Sequence, residues 1–239
     1  GAPLGPRGLE IRGALARVDL DAARRVPLLD AATMDRLRRC LDEGVSAGVR
    51  ALIISGGSAG TFAAGADLIE LSRLDPIEAV AFAKRGQDLF DRLERFPGAT
   101  IAAIRGRCIG GAFDLVMACD LRLASEEATF SHPGPRLGFI TGYGGTSRLP
   151  LLAGPAARPV LLGMEEMDAA RALEVGFLAD VTGAAELDGA ARALAERICG
   201  ASPERLRLMK EVLQRLSGAS SARSLERRVA ALASAAVCG

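Results

Sequence analysis

Residues 101–150 read IAAIRGRCIGGAFDLVMACDLRLASEEATFSHPGPRLGFITGYGGTSRLP. The stretch opens on a short apolar β-type run, Ile101 to Ile104, and reaches a glycine pair, Gly110-Gly111. It then enters a helix-like apolar run, Phe113 to Cys119, broken by one acid, Asp114. A glycine pair at a strand-to-helix junction lets backbone approach a ligand and leaves free N–H groups at the helix start. An acid inside an apolar run is expensive unless it is paired, protonated or used. The combination reads as an anion-stabilising pocket with an acid/base beside it. The same letters also arise where Gly-Gly only permits packing and an Asp sits half-exposed at a helix edge.

On the N-terminal side, Leu9–Arg12 and Ala14–Leu20 alternate and read as paired strands. Asp30 caps a helix running to about Gly44, with Met34, Leu37 and Leu41 on one face. Val49–Ile54 has the composition of a buried strand and runs into a glycine-rich loop, 55–67. That loop has neither the Gly-Lys-Ser/Thr of a P-loop nor a GxGxxG, which argues against a nucleoside triphosphate or dinucleotide ligand. Leu68–Leu74 is a short helix. Asp75-Pro76 begins a longer one that ends at Pro97-Gly98.

Within and after the central stretch, strands are expected near 101–105, 120–125 and 128–130, with an irregular loop from Gly142 to Gly145. Beyond Pro150, helices are expected near 155–163, 167–174, 185–199, 202–216 and 221–236, with Phe177–Val181 extended. Strand–helix alternation followed by helices predicts an α/β core with a helical C-terminal subdomain.

Composition removes several function classes. Formal net charge is +1 over 239 residues, with no Trp and one Tyr. This offers neither a basic surface for nucleic acid nor a base-stacking platform. No apolar run reaches the roughly 18 residues of a membrane span. The five cysteines have no metal-ligand spacing and predict buried free thiols in a reducing, cytoplasmic compartment. His132 is the single histidine, so a multi-histidine metal site is excluded.

Two motifs give the chain a resemblance to the crotonase superfamily, the enoyl-CoA hydratase/isomerase fold. Thr61-Phe-Ala-Ala-Gly-Ala-Asp-Leu-Ile-Glu-Leu71 is similar to F-[SA]-A-G-A-D-[IL]-x-E-[ML]. Ile101–Arg148 is similar to the family's long glycine-rich motif, and the two occur in order at the family's spacing. The resemblance implies a spiral of ββα units over 1–182, with a helical subdomain over 183–239 that serves trimerisation. The assembly would be a homotrimer or a dimer of trimers. It implies an acyl-CoA thioester as substrate and no other cofactor. It implies an oxyanion hole from the backbone N–H groups of Ala66 and Gly111, with Asp114 as acid/base. Ala64, Gly65, Ala66, Asp67, Leu68, Gly110 and Gly111 become substrate or CoA contacts, and His132 and Tyr143 candidate pocket residues. Arg24 and Arg25 could meet CoA phosphates. Ser131, Arg136, Glu70 and Arg73 are read as structural, interfacial or solvated.

The chain departs from the family's pattern at its acids. The hydratases use two glutamates. Here the first position is Asp114 and the second is Gly134. A further acid position used by single-acid isomerases falls on Gly142. One acid/base puts paired-carboxylate hydration in doubt and leaves a one-base double-bond shift or a single-acid hydration. The rival reading is an acyl-CoA binding protein that kept the thioester cradle and lost the chemistry. A purely structural scaffold is a third.

Overall fold

The computed structural model of the chain describes residues 8–20, 26–57 and 60–216. The strands are β1 (Leu9–Arg12), β2 (Leu15–Asp19), β3 (Ala51–Ser55), β4 (Thr61–Ala63), β5 (Ala99–Ile104), β6 (Arg107–Ile109), β7 (Leu121–Ser125), β8 (Thr129–Ser131), β9 (Met167–Asp168) and β10 (Asp180–Thr182). The helices are α1 (Ala31–Ser46), α2 (Leu68–Leu71), α3 (Pro76–Glu94), α4 (Gly111–Met117), α5 (Gly145–Ala153), α6 (Ala157–Leu162), α7 (Ala169–Glu174), α8 (Leu187–Cys199) and α9 (Pro203–Leu216).

Two sheets result. One has the strand order β1-β2-β3-β5-β7-β10, and the other β4-β6-β8-β9. β1 pairs antiparallel with β2, and the rest of the large sheet is parallel. The chain places one strand in the large sheet and the next in the small one, three times over: β3 then β4, β5 then β6, β7 then β8. Each pair is followed by helical structure. This is the expected spiral of ββα units, a mixed α/β architecture.

Local chemistry explains the long elements. Asp30 and Asp75 accept backbone N–H bonds as N-caps of α1 and α3. Asp75 and Glu78 form a capping box with Pro76 in the first turn. β3 and β5 are buried almost throughout, as strands covered on both faces must be. One face of the large sheet packs on the main core, which holds Phe62, Phe90, Phe113, Phe130 and Phe177. The other face carries Ala51, Ile53, Ile101, Ala103 and Leu123 against Leu187, Ala191 and Ala195 of α8. α8 therefore covers the sheet of the core. α9 is tethered to the core by Lys210, which donates to Asp120 and to the Gly98 carbonyl.

Three expectations change. The glycine-rich loop after β3 contains β4, which pairs with the unforeseen β6. The irregular loop at 142–145 ends sooner than expected, because α5 starts at Gly145 and carries Pro150 within it. The helix expected at 155–163 is a 3-10 turn, Gly154–Ala156, leading into α6. The helix expected at 221–236 and the candidates Arg24 and Arg25 lie outside the described residues.

Candidate active site

The segment 64–66 is held from one side by the segment 27–29. Ala64 N–H donates to Pro27 O at 3.0 Å, and Leu29 N–H donates to Gly65 O at 3.1 Å. A trans peptide points its C=O and the following N–H in opposite directions. Leu29 therefore fixes the Ala66 N–H facing away from the 27–29 segment. Ala66 N–H has no acceptor among the described residues.

The second free donor comes from the start of α4. Gly110 donates to Ser131 O at 2.9 Å, and its own carbonyl accepts from Asp114 N at 3.1 Å. That carbonyl runs along the helix, so the Gly111 N–H on the same peptide points back out of the helix start, also without an acceptor among the described residues. Gly110 makes the turn with φ of 58°, a region that side-chain-bearing residues rarely enter. A Cβ on Gly65 would stand 2.6 Å from Gly111 N, so only glycine lets the two donor peptides lie this close.

These donors border a cavity of about 500 Å³. Ala64, Gly65, Ala66, Asp67, Leu68, Gly110, Gly111, Asp114, His132 and Tyr143 all line it, so the structure brings the sequence candidates together at one place. Its apolar wall includes Leu71, Phe82, Leu137, Phe139 and Ile140. The Asp67 carboxylate is turned to α2, where it accepts from Ile69 N and Glu70 N. Ser131, Arg136, Glu70 and Arg73 are not part of the lining.

Asp114 is not at a helix edge. It is 1 % exposed, and both of its oxygens are engaged. His132 Nε2 lies 2.9 Å from Oδ1, and Thr141 Oγ1 donates to Oδ2. The pairing with His132 follows from strand register. Ile109 of β6 stands opposite Ser131 of β8. The next residue, His132, therefore leaves the strand close to α4, within hydrogen-bond reach of Asp114. Thr141 carried no sequence signal, because its role depends on a loop returning from the other side of the cavity.

That loop is pinned to α3 and α5. Gln87 donates to Gly142 O at 2.7 Å, and Arg148 donates to Tyr143 O at 2.7 Å while pairing with Glu94 and Asp91. The Tyr143 ring packs against Phe82 and Phe90, at 5.8 and 5.5 Å between centroids. Its buried hydroxyl has no hydrogen-bond partner among the described residues. Burial, then the negative charges of Asp114 and Glu70, push the phenol well above its ordinary value, and it stays neutral. Gly134 lines the cavity with no acid to offer. A side chain there would meet the Phe139 carbonyl oxygen at 2.9 Å and the Phe139 ring at 3.3 Å.

Two preorganised donors, an ionisable pair and an apolar recess can hold a carbonyl oxygen while a proton moves at a neighbouring carbon. Among the described residues no cluster of three or more His, Cys, Asp or Glu could hold a metal ion, and no helix is long and apolar enough to cross a membrane.

Known proteins resemble this chain over most of its length. The family model described as enoyl-CoA hydratase/isomerase matches residues 10–235. A probable enoyl-CoA hydratase of Bacillus subtilis is 39% identical over 189 residues, 77% of this chain and 73% of the relative. The short-chain-enoyl-CoA hydratase of Clostridium acetobutylicum is 32% identical, over 87% of this chain and 80% of the relative. The crystal structure of an enoyl-CoA hydratase/isomerase from Xanthobacter autotrophicus Py2 superposes with a TM-score of 0.87 at 27% identity, covering 94% of this chain and 86% of that one.

Proposed function

The chain belongs to the enoyl-CoA hydratase/isomerase family, and we propose that it forms and quenches a thioester enolate on an unsaturated acyl-CoA. The Ala66 and Gly111 N–H groups act as the oxyanion hole, and Asp114 belongs to the site's single acid/base unit. The observation that carries this reading is the convergence on one cavity of two acceptor-free backbone donors and a buried carboxylate.

Thioester oxygen gains negative charge when a proton leaves the α-carbon or a nucleophile adds at the β-carbon. Donors already aimed at that oxygen stabilise the charge without reorganisation, and one such donor is worth about 3 kcal/mol. The acyl chain lies in the apolar recess. The 64–68 segment offers backbone to the pantetheine arm, and coenzyme A enters as part of the substrate. With one acid/base unit, the reaction is a double-bond shift or a hydration that reuses that unit for both proton transfers.

The second reading, an acyl-CoA binder without turnover, draws on Gly134, which offers no acid and where a Cβ would crowd the Phe139 carbonyl oxygen. Incubation with 2-enoyl-CoA and 3-enoyl-CoA separates the readings. Interconversion, or a 3-hydroxyacyl product, that is lost in Asp114→Asn with thioester affinity kept supports the enzyme. Tight binding without either product supports the binder.

A further inference from the structure

We infer that the acid/base unit is a pair, in which His132 Nδ1 takes up and returns the proton and Asp114 holds the ring. The inference rests on the acyl-CoA reading above and assigns a residue to its proton transfers.

Hydrogen-bond polarity fixes the arrangement. Gly145 N–H lies 3.4 Å from Thr141 Oγ1 and approaches it as donor, so the Thr141 hydroxyl turns its one hydrogen to Asp114 Oδ2. The other oxygen, Oδ1, faces His132 Nε2 at 2.9 Å. Both Asp114 oxygens thus stand as acceptors toward their neighbours. Facing an acceptor oxygen, an imidazole with one ring hydrogen carries it on Nε2 and its lone pair on Nδ1. Nδ1 has no hydrogen-bond partner among the described residues, and His132 lines the cavity. A base oriented by a carboxylate that also stabilises its protonated form is the logic of a catalytic dyad.

The other titratable groups that feel Asp114 do not compete. Burial and the Asp114 charge push Cys108 and Tyr143 well above their ordinary values, so both stay protonated at neutral pH. Arg148 is committed to Asp91 and Glu94. Position 134 is a glycine and supplies no base.

In hydration, His132 Nδ1 takes a proton from water as the water oxygen bonds to the β-carbon. The electron pair of the double bond moves toward the thioester, and its oxygen becomes the enolate oxyanion at Ala66 and Gly111. The imidazolium then returns that proton to the α-carbon, and the enolate pair regenerates the carbonyl. One water is added, no electrons are gained or lost, and the ring ends neutral. In a double-bond shift the same atom takes a proton from one carbon and returns it to the other.

The test compares the wild-type protein with His132→Gln and His132→Gly, using a 2-enoyl-CoA and its 3-enoyl isomer. Gln places an amide N–H where Nε2 stands, keeping the donor to Asp114 while removing the base. The expected result is a loss in kcat of about 100-fold or more in His132→Gln, with KM and thioester affinity within about threefold of wild type. In His132→Gly, free imidazole is expected to restore kcat in proportion to its concentration. A His132→Gln protein that keeps kcat within about threefold overturns the inference and leaves Asp114 as sole base, with the acyl-CoA reading intact. A folded His132→Gly protein that imidazole does not rescue also counts against it. A wild-type protein that binds the thioester without turnover overturns the acyl-CoA enzyme reading, and the inference with it.

Discussion

The Cβ that Gly134 lacks would stand 2.9 Å from the carbonyl oxygen of Phe139. The Phe139 N–H in turn donates to Gly134 O at 3.1 Å, so this turn closes on itself. Restoring a family-like acid here therefore costs structure. Gly134→Glu is predicted to destabilise by about 1–3 kcal/mol, the usual range for overpacking, and not to raise hydration. Removing the Phe139 ring as well relieves the side-chain part of the clash and leaves the carbonyl part. Urea unfolding of the single and double variants checks this. A Gly134→Glu protein of wild-type stability and higher hydration rate would contradict it.

Arg148 ties α5 to α3 and to the loop that carries Thr141 and Tyr143. It is 3 % exposed, while the side chains of its partners Asp91 and Glu94 are 23% and 27% exposed. Breaking a fully buried pair costs roughly 3–5 kcal/mol, and the partial exposure of the two acids places this one lower, at about 2–3 kcal/mol for Arg148→Ala. Activity should fall with it, because Tyr143 O loses its anchor. Thermal melts and turnover of the purified variant provide the check.

Tyr143 carries a buried hydroxyl with no hydrogen-bond partner among the described residues. An unsatisfied buried polar group costs stability, so Tyr143→Phe is expected to be about 1 kcal/mol more stable than wild type. A loss of stability in that variant would show that the hydroxyl has a partner in solution.

Three buried acids set the alkaline limit. Burial raises the Cys119 thiol from its ordinary 9.0 to about 12. Burial and the Asp114 charge raise Cys108, and burial with Asp114 and Glu70 raises Tyr143. In the native state these groups hold their protons at pH values where the unfolded chain has released them. Their contribution is fully present below about pH 9 and is lost as pH climbs toward 12. The melting temperature should fall steadily between pH 9 and 11, and less steeply in Cys119→Ala. A melting temperature flat to pH 11 would contradict the assignment.

The long elements of this fold were legible in the sequence because their causes are local. Asp75-Pro76 announces α3, and the apolar runs at 51–55 and 99–104 announce β3 and β5. β4 and β6 were not legible. Each has three residues, too few for periodicity, and each sits between glycines and pairs with a strand distant in the chain. The site shows the same division. The glycine motifs and Asp114 are visible as types, and all the candidates among the described residues meet at one cavity. The bond between His132 and Asp114, 18 residues apart, depends on the register of β6 against β8. Thr141 reaches the same carboxylate from a loop fixed by Gln87 and Arg148.

The most direct measurement is deuterium exchange at the α-carbon of a saturated acyl-CoA in deuterated water. It asks for an enolate and a base, and does not depend on whether the full reaction is hydration or a double-bond shift. Deuterium is expected to enter the α-position with wild-type protein and not with Asp114→Asn, whose thioester affinity is kept. Bound thioester with no exchange in the wild type, or equal exchange in the two proteins, would contradict it.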